Sequence, residues 1–201
     1  METIASGQFI DKVVEALRKA AIELEEFQLK AALGKAEAVD KYEEVKRKFN
    51  LFIHESKYKV KVGKEKIDDL NAKFDELLVQ LALGKAESLE MFKEQKKQLL
   101  HTIHEIEVKI KTNEALTRMY AFVLIEIEKF KVHLEVLEEK LEKGKEGAKT
   151  TFEKGKQEFN LFVEKLQSKF TKEKEETKWE HFQSEISEAF DHFKQAFTKP
   201  Q

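Results

Sequence analysis

The chain has 201 residues, 38% of them charged, with 37 basic against 39 acidic side chains, no cysteine and one proline, Pro200. Balanced charge excludes the net-basic face of a nucleic-acid binder, and the lack of cysteine excludes disulfides, thiolate chemistry and Cys-ligated zinc. Abundant Glu, Lys, Leu and Ala with almost no helix breaker predicts helix nearly throughout, and periodic hydrophobics at 41% argue against disorder.

Met1 to Lys12 carry neither a basic n-region nor an apolar core, so no secretory signal is expected. Ser6 and Gly7 can cap a helix from near Gln8. Ile10, Val14, Leu17, Ala21 and Leu24 begin an a/d rhythm that continues through Ala31, Ala38, Tyr42, Val45, Phe49 and Phe52, with only Gln28 and Lys35 polar. The phase survives Gly34, which predicts one helix of about 50 residues, ~75 Å long, or a bend at that glycine. From Lys57 to Lys64 the stripe lapses, and Tyr58, Val60 and Val62 alternate. A short strand over 58–62 would need residues 107–111 as its partner, and a helix end followed by a turn is preferred.

Stripes resume at Ile67, Leu70, Phe74, Leu77 and Leu81, shift phase near Gly84, and continue at Leu89, Phe92, Leu99, Ile103, Ile106 and Ile110. Thr112 and Asn113 offer a cap, and Leu116, Tyr120, Val123, Ile127, Phe130, Leu134, Leu137 and Leu141 keep phase to Lys143. Phe122, Leu124 and Ile125 make this helix apolar almost all round, which predicts the most central position. Tyr120 to Ile125 is the longest strongly apolar run, far below the ~20 residues that span a bilayer, so a cytoplasmic protein is expected. Gly144 and Gly147 are the clearest breaker and divide a 1–143 region, read as three antiparallel helices, from a Phe-rich 144–201 region packing on it. In the latter, Trp179, Phe182, Ile186, Phe190, Phe193 and Phe197 form one apolar stripe and the candidate interaction surface.

An internal repeat runs through the chain. Leu-Gly-Lys-Ala-Glu stands at Leu33–Glu37 and again at Leu83–Glu87, fifty residues apart. The alignment sets Tyr42 against Phe92, and Ile53-His54-Glu55 against Ile103-His104-Glu105. A looser third copy from Gly144 repeats Phe49-Asn50-Leu51-Phe52 as Phe159-Asn160-Leu161-Phe162. Such a unit cannot bury its own stripe and is expected to stack against its copies.

Little in the sequence carries chemistry. His101 and His104 are three apart on a helix, the one spacing that could present two imidazoles to a metal, but His-Glu-x-x-His and Glu-x-x-His are both absent. They read as histidines flanking the core stripe, and no cofactor is expected. His133, His181 and His192 read as solvated. No phosphate-cradling glycine motif occurs, and pairs such as Glu37–Lys41, Glu43–Arg47 and Glu44–Lys48 account for most carboxylates, so an enzyme is not expected. The 179–197 stripe is amphipathic and aromatic, as interfacial helices are, yet Glu180, Glu185, Glu188 and Asp191 oppose only Lys194, which disfavours anionic lipid.

The ending, with Trp179, Phe182, Ala189-Phe190 and Phe193-Lys194-Gln195-Ala196-Phe197, resembles a group of small bacterial coiled-coil proteins usually described as stress-response proteins. Phe190 stands where that group often has a second Trp. The resemblance implies a bacterial, non-enzymatic helical protein and carries over no catalytic or binding residue.

The expected fold is all-α, an elongated antiparallel bundle of long coiled-coil-like helices. The expected function is a self-assembling structural or interaction protein, stress-associated, forming homo-oligomers or meeting a helical protein partner through its stripes. A peripheral lipid-surface protein and a small-ligand or metal-binding bundle are the alternatives.

Overall fold

A computed structural model describes residues 2–30, 35–58, 64–112 and 114–143, together with 157, 159–161, 163, 164, 168, 185–188, 190 and 191. The described residues contain no strand. The helices are α1 (Glu2–Lys30), α2 (Lys35–Tyr58), α3 (Lys64–Leu81), α4 (Leu89–Lys111), α5 (Glu114–Met119) and α6 (Ala121–Lys143). The 107–111 stretch lies inside α4, so it cannot pair as a strand with 58–62, of which only Tyr58 is described.

Residues 1–143, read from the stripes as three helices, hold six among the described residues. The continuous rod through Gly34 fails on distance. Phe27 packs its ring against His133 at 4.3 Å, and Phe49 stacks on Phe130 at 4.1 Å. In one straight helix Phe27 and Phe49 would stand about 33 Å apart, yet they meet neighbouring turns of α6. Contacts of α1 ascend along α6, from Phe9 on Phe122 to Phe27 on His133, whereas α2 descends it, since Tyr42 meets Phe92 one turn from the Lys96–Glu138 pair and the later Phe49 meets Phe130. The two helices are therefore antiparallel. Gly34 itself lies outside the described residues.

The same antiparallel order holds for α3 and α4, where Lys109 pairs with Asp69, Lys73 with Glu105 at 2.8 Å, and Gln80 Nε2 donates to Thr102 Oγ1 at 2.8 Å. At Gly84 the helix does break. Residues 84–87 have no regular structure, and Ser88 caps α4 by accepting from the Met91 amide at 3.1 Å. Leu-Gly-Lys-Ala-Glu thus adopts different conformations in its two copies, since Lys35 to Glu37 are helical.

The fifty-residue repeat spans two helices, α1 with α2 in one copy and α3 with α4 in the next, but the copies pack differently: α3 lies directly on α4, whereas α1 and α2 each pack on α6 and belong to different cores. Equivalent residues of adjacent units touch: the Tyr42 and Phe92 rings meet edge to face at 4.8 Å.

α6 lies between two cores, as its all-round apolar character predicts. Leu124, Ile127, Phe130, Leu134 and Leu137 join a large core with the stripes of α2, α3 and α4. Ala121, Ile125, Val132 and Val136 join a second core with Ile10 to Leu24 of α1. That second core also holds Phe159, Val163, Ile186 and Phe190, so the C-terminal region completes it. No helix among the described residues is long and apolar enough to cross a membrane.

Candidate functional site

Three features depart from an ordinary apolar bundle interior. The first is a pair of buried lysines at equivalent repeat positions. Lys46 follows Tyr42 by four and precedes Phe49 by three, which puts an ammonium on the core face of α2. It is 1% exposed. Its Nζ donates to the Leu83 carbonyl at 2.8 Å and pairs with Glu43 at 2.8 Å, 4.7 Å from the Tyr42 ring centroid. Gln95 completes the arrangement by accepting from the Tyr42 hydroxyl at 3.0 Å and donating to the Gly84 carbonyl at 2.9 Å. Burial, with Glu43 adding, pushes the Tyr42 phenol far above its ordinary range, so it remains a donor. Lys96, fifty residues on, is likewise buried and pairs with Glu135 at 2.8 Å and with Glu138. Lys46 ties α2 to the turn that follows α3, and Lys96 ties α4 to the C-terminal half of α6. These are structural pins, since every donor is directed at a fixed protein acceptor.

The second feature is a cavity of about 360 Å³ between α1, α2 and α6. Phe27, Val45, Phe49, Phe130 and His133 form its floor, and Glu23, Glu44, Lys48 and Lys129 stand on its rim. The rim charges pair with each other: Glu44 with Lys41 and, at 2.8 Å, with Lys48, and Lys129 with Glu23 at 2.5 Å and Glu126 at 2.7 Å. Those two lysines hold the Glu44 carboxyl down to about 2. His133, expected in solvent, is half-buried against Phe27, and burial with Lys129 and Lys48 nearby lowers its imidazole to about 3. It is neutral at physiological pH. Of the expected i,i+4 pairs, Glu44–Lys48 forms as such, whereas Glu43 turns to Lys46.

The third feature is the most chemically distinctive. Where α4, α6 and residues 185–188, 190 and 191 meet, a polar cavity of about 390 Å³ is lined by buried Glu107 and Glu128 together with Lys131, His104, Ser187 and Asp191. Glu107 stands four residues after Ile103 and three before Ile110, inside the core stripe of α4. Glu128 fills the gap between Ile125 and Val132 in the second stripe of α6. They are 5% and 6% exposed. Lys131 bridges them, 2.6 Å from Glu107 and 3.0 Å from Glu128, and the Ser187 hydroxyl donates to the same Glu128 oxygen at 3.0 Å. Burial raises the Glu107 carboxyl to about 7; Lys131 opposes this and Glu128 adds to it. Lys131 stays protonated, held up by both carboxylates against its own burial.

The predicted site residues fall as follows. His101 and His104 are both exposed, His104 at the mouth of the polar cavity, and no group of three or more potential metal ligands occurs among the described residues. Ile186 and Phe190 are buried against their own chain, with Phe159 meeting Phe190 edge to face at 5.2 Å. These two positions are thus already covered and offer no open stripe to a partner. Trp179, Phe182, Phe193 and Phe197 lie outside the described residues, as do His181 and His192. Lys46, Lys96, Glu107, Glu128, Lys131 and Ser187 escaped the sequence reading. Four of them carry one shared signal, a charged residue in a slot of an otherwise apolar stripe.

Comparison with known proteins finds no family model, no curated protein and no solved structure that matches the chain.

Proposed function

We propose that the chain is a cytoplasmic, non-enzymatic helical interaction protein, stress-associated in keeping with its C-terminal resemblance, that self-associates into a structural assembly. The observation that carries this reading is a repeated surface leucine. In Phe49-Asn50-Leu51-Phe52 and again in Phe159-Asn160-Leu161-Phe162, the first Phe is buried while the Leu is 57% exposed in both copies. A single exposed leucine needs no explanation. The same inside–outside pattern in two units gives the molecule matched apolar contact points, which suits association between copies of a stacked-repeat scaffold. The buried lysines Lys46 and Lys96 support the reading in a different way, because they pair with fixed groups of the same chain.

Sedimentation velocity across a hundredfold concentration range tests this. Association that strengthens with concentration and is lost in Leu51→Glu/Leu161→Glu is the expected result. A single monomeric species at every concentration would overturn it. The cavity between α1, α2 and α6 favours a second reading, a small amphiphile seated on its aromatic floor, since about 360 Å³ falls within the range of small-molecule sites. Saturable binding of a naphthalene-sulfonate dye, abolished by Phe49→Ala, would favour it; partitioning without saturation would remove it.

A further inference from the structure

We propose that α1 is an exchangeable element, which in a two-fold dimer leaves its own α6 and docks on the α6 of a second copy. In the structure α1 and α2 each pack on α6, one in the second core and the other in the large one, whereas α3 lies directly on α4. The sequences that join the helices differ in the same sense. Ser88 caps α4 by accepting from the Met91 amide at 3.1 Å, and its counterpart fifty residues earlier is Ala38, already inside α2. From Gln28 to Val39 there is no Ser, Thr, Asp, Asn or Pro, and Gly34 is the one helix breaker. The apolar rhythm also passes from Leu24 through Ala31 and Ala38 to Tyr42 without a change of phase, while it shifts at Gly84. Two helices that bury their stripes in different cores have no use for that continuity. A single helix through residues 31–34 keeps both stripes on one face.

Geometry decides what such a helix would meet. Tyr42 packs on Phe92, beside the pairs Lys93–Glu142 and Lys96–Glu138, so α2 starts level with the C-terminal part of α6. Straightened, α1 projects past that end with Ile10, Val14, Leu17, Ala21 and Leu24 uncovered, and it leaves the matching seam of its own α6 uncovered too. α1 runs parallel to α6, with Phe9 on Phe122 and Phe27 on His133. A second copy facing the first end to end therefore presents its α6 in the direction the projecting helix needs, and each chain fills the other's seam. The contacts are those the structure already holds, Glu23 on Lys129 at 2.5 Å included, so the exchange calls for no new interface.

The exchange deepens the self-association reading, and rests on it for the existence of a dimer, by naming the helix that crosses between copies. Unlabelled and heavy-isotope full-length chains, mixed one to one, are unfolded in urea and refolded at high concentration. The dimer is then isolated by size and treated with a carbodiimide, which joins paired carboxylates and amines. About half of the Glu23–Lys129 links should be of mixed isotope, the statistical share for crossed helices. Lys73–Glu105 links, between α3 and α4 at 2.8 Å, should stay unmixed. Gly34→Ala lifts the glycine penalty on a through-helix about fivefold in each of two chains, so the dimerisation constant should rise about thirtyfold. Gly34→Pro, which a helix interior does not tolerate, should remove the mixed links. Unmixed Glu23–Lys129 links in the dimer, equal mixing of both links, or no dimer at any concentration overturns the exchange. Leu51→Glu/Leu161→Glu separates the two ideas. Mixed links that persist in that variant keep the exchange and remove the leucine contacts, whereas an unmixed dimer that the variant abolishes keeps the leucines and removes the exchange.

Discussion

Replacing Lys46 by Met tests how the repeat units are held together. Met keeps the length and apolar stem of the side chain, so the change isolates the ammonium. Lost are a charge-assisted bond to the Leu83 carbonyl at 2.8 Å, an ion pair to Glu43 at 2.8 Å and a cation 4.7 Å from the Tyr42 ring. The carbonyl bond contributes about 1.5–3 kcal/mol, and the ring contact adds about 0.5–1 kcal/mol. Glu43 Oε1, the oxygen paired with Lys46, is itself out of reach of water, so losing the ammonium leaves it uncompensated and adds to the cost. Removing a buried charge also relieves desolvation, which offsets part of the total. The net expectation is a destabilisation of about 2 kcal/mol, or roughly 4–8 °C in Tm for a chain of this size. Urea denaturation of Lys46→Met and Lys85→Met gives the contrast, because the Lys85–Asp40 pair bridges the same turn from the fully exposed surface at 2.7 Å and should contribute far less than the buried lysine. Hydrogen exchange should also accelerate locally across 83–88. If both variants unfold alike, the buried lysine is not a net pin and the account of the repeat interface is wrong.

Gly84→Ala should be neutral or stabilising by about 0.4–1 kcal/mol in thermal melts, since an added Cβ meets nothing within 4 Å and the unfolded chain loses freedom. Destabilisation there would mean that the turn needs glycine. Phe130→Ala removes the ring stacked on Phe49 at 4.1 Å and should cost about 3–5 kcal/mol by chemical denaturation, a loss below 1 kcal/mol contradicting a packed α2–α6 seam. His133 has a folded-state value lowered to about 3, so its contribution is intact above about 6.5 and is lost as pH falls toward 3. Between pH 6.5 and 4, His133→Gln should therefore lose about 1–2 kcal/mol less stability than the wild type, and identical acid profiles would refute the neutral, half-buried imidazole.

Periodicity made the all-α class and the central place of α6 legible, because apolar residues at three–four spacing declare a helix face whatever lies opposite. It could not show where a helix ends. A heptad phase that survives Gly34 describes a continuous rod and two helices sharing one partner equally well. Only the opposing Phe27–His133 and Phe49–Phe130 contacts decide between them. The repeat was legible as sequence, but not that its two copies pack differently, α3 directly on α4 and α1 and α2 each on α6. Glu107, Glu128, Lys46 and Lys96 were hidden for a related reason. In a chain where 38% of residues are charged, a charge in a core slot is visible only once the stripe on either side has been fixed in register. Lys131 and Ser187 have no local signal at all, since their role comes from three elements meeting.

Vesicle co-flotation, with neutral and anionic liposomes at low and physiological salt and Trp179 emission read alongside, tests most directly the claim that the apolar stripes meet protein rather than lipid. The account predicts protein remaining at the bottom of the gradient with unchanged emission. Flotation accompanied by a blue shift would contradict it and make the same stripes a lipid-binding surface.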